Sequence, residues 1–187
     1  GPKVSRFPWK TFYRVAAVIL IVLLPLAGYW KGQETLRQTF SDMVVEVPLG
    51  ARAKLYLPDG TLVWLNAGSR ITYSQGFGVG NRKIELIGEG YFEVKRNEEV
   101  PFLVKTNSLL VKVLGTKFNV ASYENDEQVT TTLAEGSVEV GDEKGSVRLK
   151  PEEQALFCKG DRSLRVQKVD VGMYLAWKDG KFIFEEQ

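Results

Sequence analysis

A chain of 187 residues with 25 Lys and Arg against 23 Asp and Glu carries a formal charge of only +2. No basic stripe with interleaved aromatics runs along it, so nucleic acid is not an expected partner. The absence of histidine and the single cysteine, Cys158, exclude Ser-His-Asp and Cys-His catalysis, the H-E-x-x-H zinc pattern, a histidine pH switch, an internal disulfide and any multi-cysteine metal site. Neither a metal nor a cofactor is expected.

In chain order, residues 1–14 form a basic flank in which Lys3, Arg6, Lys10 and Arg14 have no acidic neighbour. Residues 15–30 read VAAVILIVLLPLAGYW, uncharged and almost wholly apolar. As a helix this run spans about 24 Å, and Phe12 and Tyr13 extend it toward the hydrocarbon thickness of a bilayer. Its Leu, Ile and Val residues favour insertion by about 4 kcal/mol together, more than Pro25 and Gly28 cost. The excess of Lys and Arg before the run keeps the amino end in the cytoplasm. Trp9, Phe12 and Tyr13 on one side, with Tyr29 and Trp30 on the other, suit the two interfaces. A cleaved signal peptide is the rival reading. It is disfavoured because an A-x-A-like exit is missing and Leu26–Gly28 is followed by Tyr29 rather than a lipidated cysteine. The expectation is an uncleaved single-pass transmembrane helix over 15–30 and a juxtamembrane helix or linker over 31–43.

From Val44 onward, short runs of Val, Ile, Leu, Thr, Tyr and Phe recur between Gly, Asp, Asn and Pro, the pattern of an all-β domain over residues 44–169. Leu55 to Leu57, the turn Pro58–Asp59–Gly60 and Leu62 to Leu65 predict a hairpin. Asn66–Ser69 predicts the next turn, with Ile71 and Tyr73 on one face of the strand after it. Gly76, Gly78 and Gly80 with Asn81 predict a loose, flexible loop. Lys83 to Ile87 and Tyr91 to Val94 predict two strands separated by a turn at Gly88–Glu89–Gly90, and Glu135–Gly136 a tight bend. The remaining strands are expected at 102–104, 109–114, 118–123, 129–133, 138–140, 147–149, 154–157 and 164–169. Either a β-sandwich or a short β-solenoid satisfies this spacing. Tyr174 to Trp177 is compatible with a short helix or a strand, and Lys178–Lys181 predicts a turn into Phe182–Phe184. Residues 170–187 are expected to begin a further domain or its linker.

Five blocks resemble the FecR family of membrane-spanning sigma-factor regulators: Leu57–Tyr73 (LPDG-T-VWLNAGSR-TY), Glu85–Val94 (ELIGEGYFEV), Pro101–Thr106, Val113–Val120 (VLGTKFNV) and Leu133–Val140 (LAEGSVEV). The ending YLAWKDGKFIFEE resembles the junction into that family's small carboxy-terminal STN-like domain. The resemblance implies an inner-membrane anti-sigma regulator with a periplasmic β-domain. It implies two partners, each reached through a part of the parent protein not present here. One is an extracytoplasmic-function sigma factor, met through an amino-terminal domain. The other is the signalling domain of a TonB-dependent outer-membrane transporter, met through the STN-like domain. A membrane-anchored glycan- or cell-wall-binding module is the alternative function.

Candidate chemistry is confined to Gly115–Thr116. In some relatives the corresponding bond breaks spontaneously: the Thr hydroxyl attacks the preceding carbonyl and water hydrolyses the resulting ester. Without histidine, the proton must pass through water, a carboxylate or a lysine. The alternative is a glycine bulge with Thr116 as a good strand former. Trp64, Tyr73, Tyr91, Phe92, Phe102, Phe118 and Phe157 are expected as core residues rather than a sugar platform. Trp177, Phe182 and Phe184 are the candidates for contact with another domain. Glu89, Glu93 and Glu135 are expected on turns or a solvated face, not as paired glycosidase acids.

Overall fold

The computed structural model describes residues 42–179 and, before them, Ile19, Ile21, Leu23 to Pro25 and Gly28, all of which are helical. Ile19, Ile21, Leu23 and Leu24 expose their side chains. Among the described residues no helix is long and apolar enough to cross a membrane. The basic flank, the rest of the expected span and residues 31–41 lie outside them.

Thirteen strands follow: β1 (Asp42–Glu46), β2 (Ala53–Tyr56), β3 (Leu62–Leu65), β4 (Arg70–Ser74), β5 (Lys83–Glu93), β6 (Phe102–Lys105), β7 (Leu110–Val113), β8 (Lys117–Ser122), β9 (Gln128–Glu135), β10 (Val138–Asp142), β11 (Gly145–Leu149), β12 (Glu153–Cys158) and β13 (Leu164–Lys168). Helix α1 (Val171–Leu175) and a 3₁₀ turn (Ala176–Asp179) end the described chain. The Asp170 carboxylate accepts from the Gly172 N–H at 2.9 Å and caps α1. The end that could have been helix or strand is therefore helix; of the turn expected over Lys178–Lys181, Lys178 and Asp179 belong to the 3₁₀ turn, and Gly180 and Lys181 lie outside the described residues.

The strands form one nearly closed sheet in two layers that share β5. The first layer runs β1-β4-β5-β6-β7-β10-β11, the second β2-β3-β5-β8-β9-β12-β13. Only β5 and β6 pair in parallel; every other named pairing is antiparallel. A solenoid stacks successive coils in parallel, so this pairing is that of a folded-over sheet around a single core.

The turn expected at Gly88–Glu89–Gly90 is absent. These residues continue β5 as one strand of 11 residues. Its first half pairs with β4 and β6, and Gly88–Glu93 pairs with β8. Gly88, at φ +91°, supplies the kink that carries the strand between layers without ending it. The reading failed because glycine punctuates strands and turns alike.

Side chains alternate inward from both layers, giving a core in which Phe92 stacks on Phe118 at 5.2 Å between ring centroids and tilts against Phe102 at 6.1 Å. Phe77 joins it from inside the glycine-rich loop, edge-on to Phe102 at 5.9 Å. Within that loop the Phe77 N–H donates to the Ser74 carbonyl, and the Gly78 N–H to that of Asn81.

Candidate functional site

Between β7 and β8 the chain passes Leu114–Gly115–Thr116. The segment after β5 runs beside it: the Val94 N–H donates to the Thr116 carbonyl at 3.0 Å and the Asn97 N–H to that of Leu114 at 2.7 Å. Arg96 is seated so closely that a Cβ at Gly115 would lie 2.6 Å from Arg96 Cβ and 2.7 Å from its Cα. Close approach, not a left-handed conformation, is what demands glycine here, because φ of Gly115 is not positive. From the other side, the bend expected at Glu135–Gly136 brings in Gly136 at φ +97°. A Cβ there would be 3.0 Å from Thr116 Oγ1 and 3.2 Å from the Gly115 carbonyl oxygen.

The Gly115–Thr116 peptide thus lies in the wall of a cleft of about 530 Å³ lined by Arg96, Glu98, Leu114, Gly136 and Ser137. Thr116 is buried, and its hydroxyl donates to the Ser137 carbonyl at 2.9 Å. Lys117, next in the chain, places its ammonium 2.6 Å from Glu135, and that hydrogen bond with the Glu135 charge raises its pKa. Lys117 is therefore held cationic and is no base for Thr116. A proton leaving the hydroxyl has water, a carboxylate or another lysine to take it, and Lys112 lines the same cleft. A bulge is also present, at Lys117–Phe118.

The other motif blocks build polar networks rather than chemistry. Asp59, in the turn between β2 and β3, meets Arg82 at 2.7 Å, with both side chains buried. The same guanidinium donates to the Lys95 carbonyl at 2.6 Å and to that of Val100 at 3.1 Å, and lies over the Phe102 ring. Asp59 also accepts from the Thr61 N–H and hydroxyl, both at 2.8 Å. Sequence reasoning passed over Arg82; a lone arginine after a glycine loop carries no signal until its buried carboxylate is in view. In the second network, Glu89 accepts from Asn66 Nδ2 at 2.7 Å and from Asn119 Nδ2 at 2.8 Å. Tyr123 donates to the Ala67 carbonyl at 3.0 Å, and burial is the main cause raising its pKa.

Of the aromatic residues, Phe92, Phe102, Phe118 and Phe157 are core and Tyr73 packs against it. Tyr91 is buried, as expected, and pairs across the strands with half-buried Trp64, 5.4 Å between rings. They are not bare: Lys54 sits over Trp64, and Lys178 over both rings. Trp177, beside Lys178, has a buried indole N–H without a hydrogen-bond partner among the described residues. Phe182 and Phe184 lie outside them. Glu89 and Glu135 are engaged as described, and among the described residues no cluster of three His, Cys, Asp or Glu could hold a metal ion.

Residues 43–139, the stretch holding all these networks, match the family described as FecR protein. The chain belongs to the FecR family. That family is regulatory rather than enzymatic. Two crystal structures from Parabacteroides distasonis ATCC 8503, provisionally described as of an anti-sigma factor, are similar at 36% identity, with TM-scores of 0.72 and 0.71. The similarity covers 75% and 74% of this FecR chain and 66% and 65% of theirs, so the chain spans just under two thirds of the relatives' length. Comparison with curated proteins finds no match.

Proposed function

We propose that this FecR chain is the periplasmic β-domain and anchor of an inner-membrane anti-sigma regulator. The observation that carries the reading is the family match over residues 43–139 together with the 36% identical structures provisionally described as of an anti-sigma factor. The amino-terminal flank lies in the cytoplasm, where the parent protein holds an extracytoplasmic-function sigma factor. The β-domain lies in the periplasm, and the signal arrives from the signalling domain of a TonB-dependent transporter. Helical residues with exposed apolar side chains at 19, 21, 23 and 24 support the span over 15–30. The indole N–H of Trp177, without a partner among the described residues, supports a contact between Trp177, Phe182, Phe184 and a following domain.

Self-cleavage at Gly115–Thr116 belongs to the same reading. The hydroxyl adds to the Gly115 carbonyl carbon, the C–N bond breaks as the Thr116 nitrogen takes a proton, and water then hydrolyses the ester, leaving a carboxylate at Gly115 and the restored hydroxyl at Thr116. Support comes from the glycine-lined approach to that carbonyl.

The test is a sigma-dependent reporter in cells carrying the full-length parent protein and its transporter, scored with and without residues 42–179 and paired with protease accessibility of the β-domain in intact spheroplasts. Loss of the response on deletion, with the domain accessible outside the inner membrane, is expected. A reporter indifferent to the deletion, or a domain shielded in spheroplasts, sinks the reading.

A further inference from the structure

One buried side chain holds both ends of the segment that walls the Gly115–Thr116 cleft. Arg82 is 3% exposed and Asp59 8%. Arg82 Nη2 binds the Lys95 carbonyl, where the segment leaves β5, and Nη1 binds the Val100 carbonyl, just before β6. Between those pins Arg96 presses on Gly115, and Asn97 donates to Leu114. Asp59 Oδ2 accepts from Arg82 Nε at 2.8 Å and so orients the fork. Thr61 closes the network by accepting from the Lys95 N–H at 3.2 Å.

We propose that the Asp59–Arg82 pair is a latch on the cleft, with Arg82 the positioning residue that keeps Lys95–Val100 seated across Gly115–Thr116 and limits access to that peptide. A structural ion pair needs only to satisfy its own two charges. Here the fork's remaining donors go to two carbonyls bracketing one short segment, and that segment touches the candidate scissile bond. No other described element presses on Gly115 so closely. With the latch made, Arg96 occupies the approach to Gly115; with it broken, the segment keeps its bonds to Thr61 and Leu114 but loses both pins that bracket it. The consequence for cutting rests on the self-cleavage reading, whereas the consequence for access does not.

The test compares the chain with Arg82→Lys, which keeps a cation for Asp59 but replaces a planar fork by a point charge that cannot serve both carbonyls. Phe157→Leu, a core change on β12 away from the cleft, is the control for general destabilisation. Three readings are taken: tryptic nicking after Lys95 and Arg96, hydrogen exchange across 114–117, and fragments ending at Gly115 by intact mass, with and without neutral hydroxylamine to trap an ester. Loss of one charge-assisted hydrogen bond is expected to raise nicking and exchange about tenfold in Arg82→Lys and to leave them unchanged in Phe157→Leu. Where the bond cuts at all, Arg82→Lys also cuts faster. Unchanged nicking and exchange in Arg82→Lys, an equal rise in Phe157→Leu, or slower cutting despite a loosened segment overturns the latch. Absence of cutting in every sample, hydroxylamine included, removes the self-cleavage reading and leaves the latch to be judged on nicking and exchange.

Discussion

Ser69 and Gly88 meet back to back: a Cβ at Gly88 would lie 2.5 Å from Ser69 Oγ and 2.7 Å from its Cα, while the same Oγ accepts from the Glu89 N–H at 2.8 Å. The turn between β3 and β4 and the kink in β5 are therefore one joint. Gly88→Ala adds a methyl group against backbone at φ +91°. It is expected to cost about 3 kcal/mol or more, and urea unfolding reads it out. A loss below 1 kcal/mol would mean that the joint yields.

The joint also marks where sequence was legible and where it was not. The hairpin at Pro58–Asp59–Gly60, the bend at Gly136 and the inward alternation of Phe92, Phe102 and Phe118 follow from local chemistry, and local chemistry suffices for them. Gly88 was misread as a turn because its role depends on Ser69, nineteen residues earlier, and no local pattern carries that approach. Arg82 and Phe77 were hidden for the same reason. Their burial is a property of the partner side, a turn and a strand separated from them in sequence. The two expected architectures differ in strand pairing, which periodicity does not encode.

Glu89 sets a second test. Its carboxylate serves two amides, Asn66 and Asn119, and Asn119 Oδ1 has no partner among the described residues. In Glu89→Gln, Asn119 can turn its amide and offer that idle oxygen to the new NH2 group. A cost of about 1 kcal/mol or less is expected. Glu89→Ala strands both amides and should cost about 2 to 3 kcal/mol. Equal losses in the two variants, measured by urea unfolding, would mean that Asn119 does not turn.

Alkaline stability tests Tyr123. Burial raises its folded-state pKa above the ordinary value of 10.0. The sign follows: below that ordinary value both states are protonated, and above it the unfolded state sheds the proton more readily, so Tyr123 makes stability fall as pH rises from about 10 through the folded pKa. Tyr123→Phe loses the bond to the Ala67 carbonyl and is expected to be less stable at pH 7, yet to decline less steeply above pH 10. Unfolding curves from pH 8 to 11 make the comparison, and parallel declines would contradict it.

Separation of the chain at Gly115–Thr116 should not separate the halves. The first half holds β1–β7 and the second β8–β13, but β8 pairs with β5 along Gly88–Glu93 and β10 pairs with β7. The core is shared too, with Phe92 of one half stacked on Phe118 of the other. Residues 1–115 and 116–187 co-expressed as two chains are therefore expected to elute together in native size exclusion and to part only in denaturant. Phe118→Ala removes a fully buried ring from that seam and should weaken the pair by about 3 to 5 kcal/mol, lowering the urea concentration at which the halves part. A signal that must free one half from the other then has to pull apart two strand pairings, whether or not the peptide between β7 and β8 is whole.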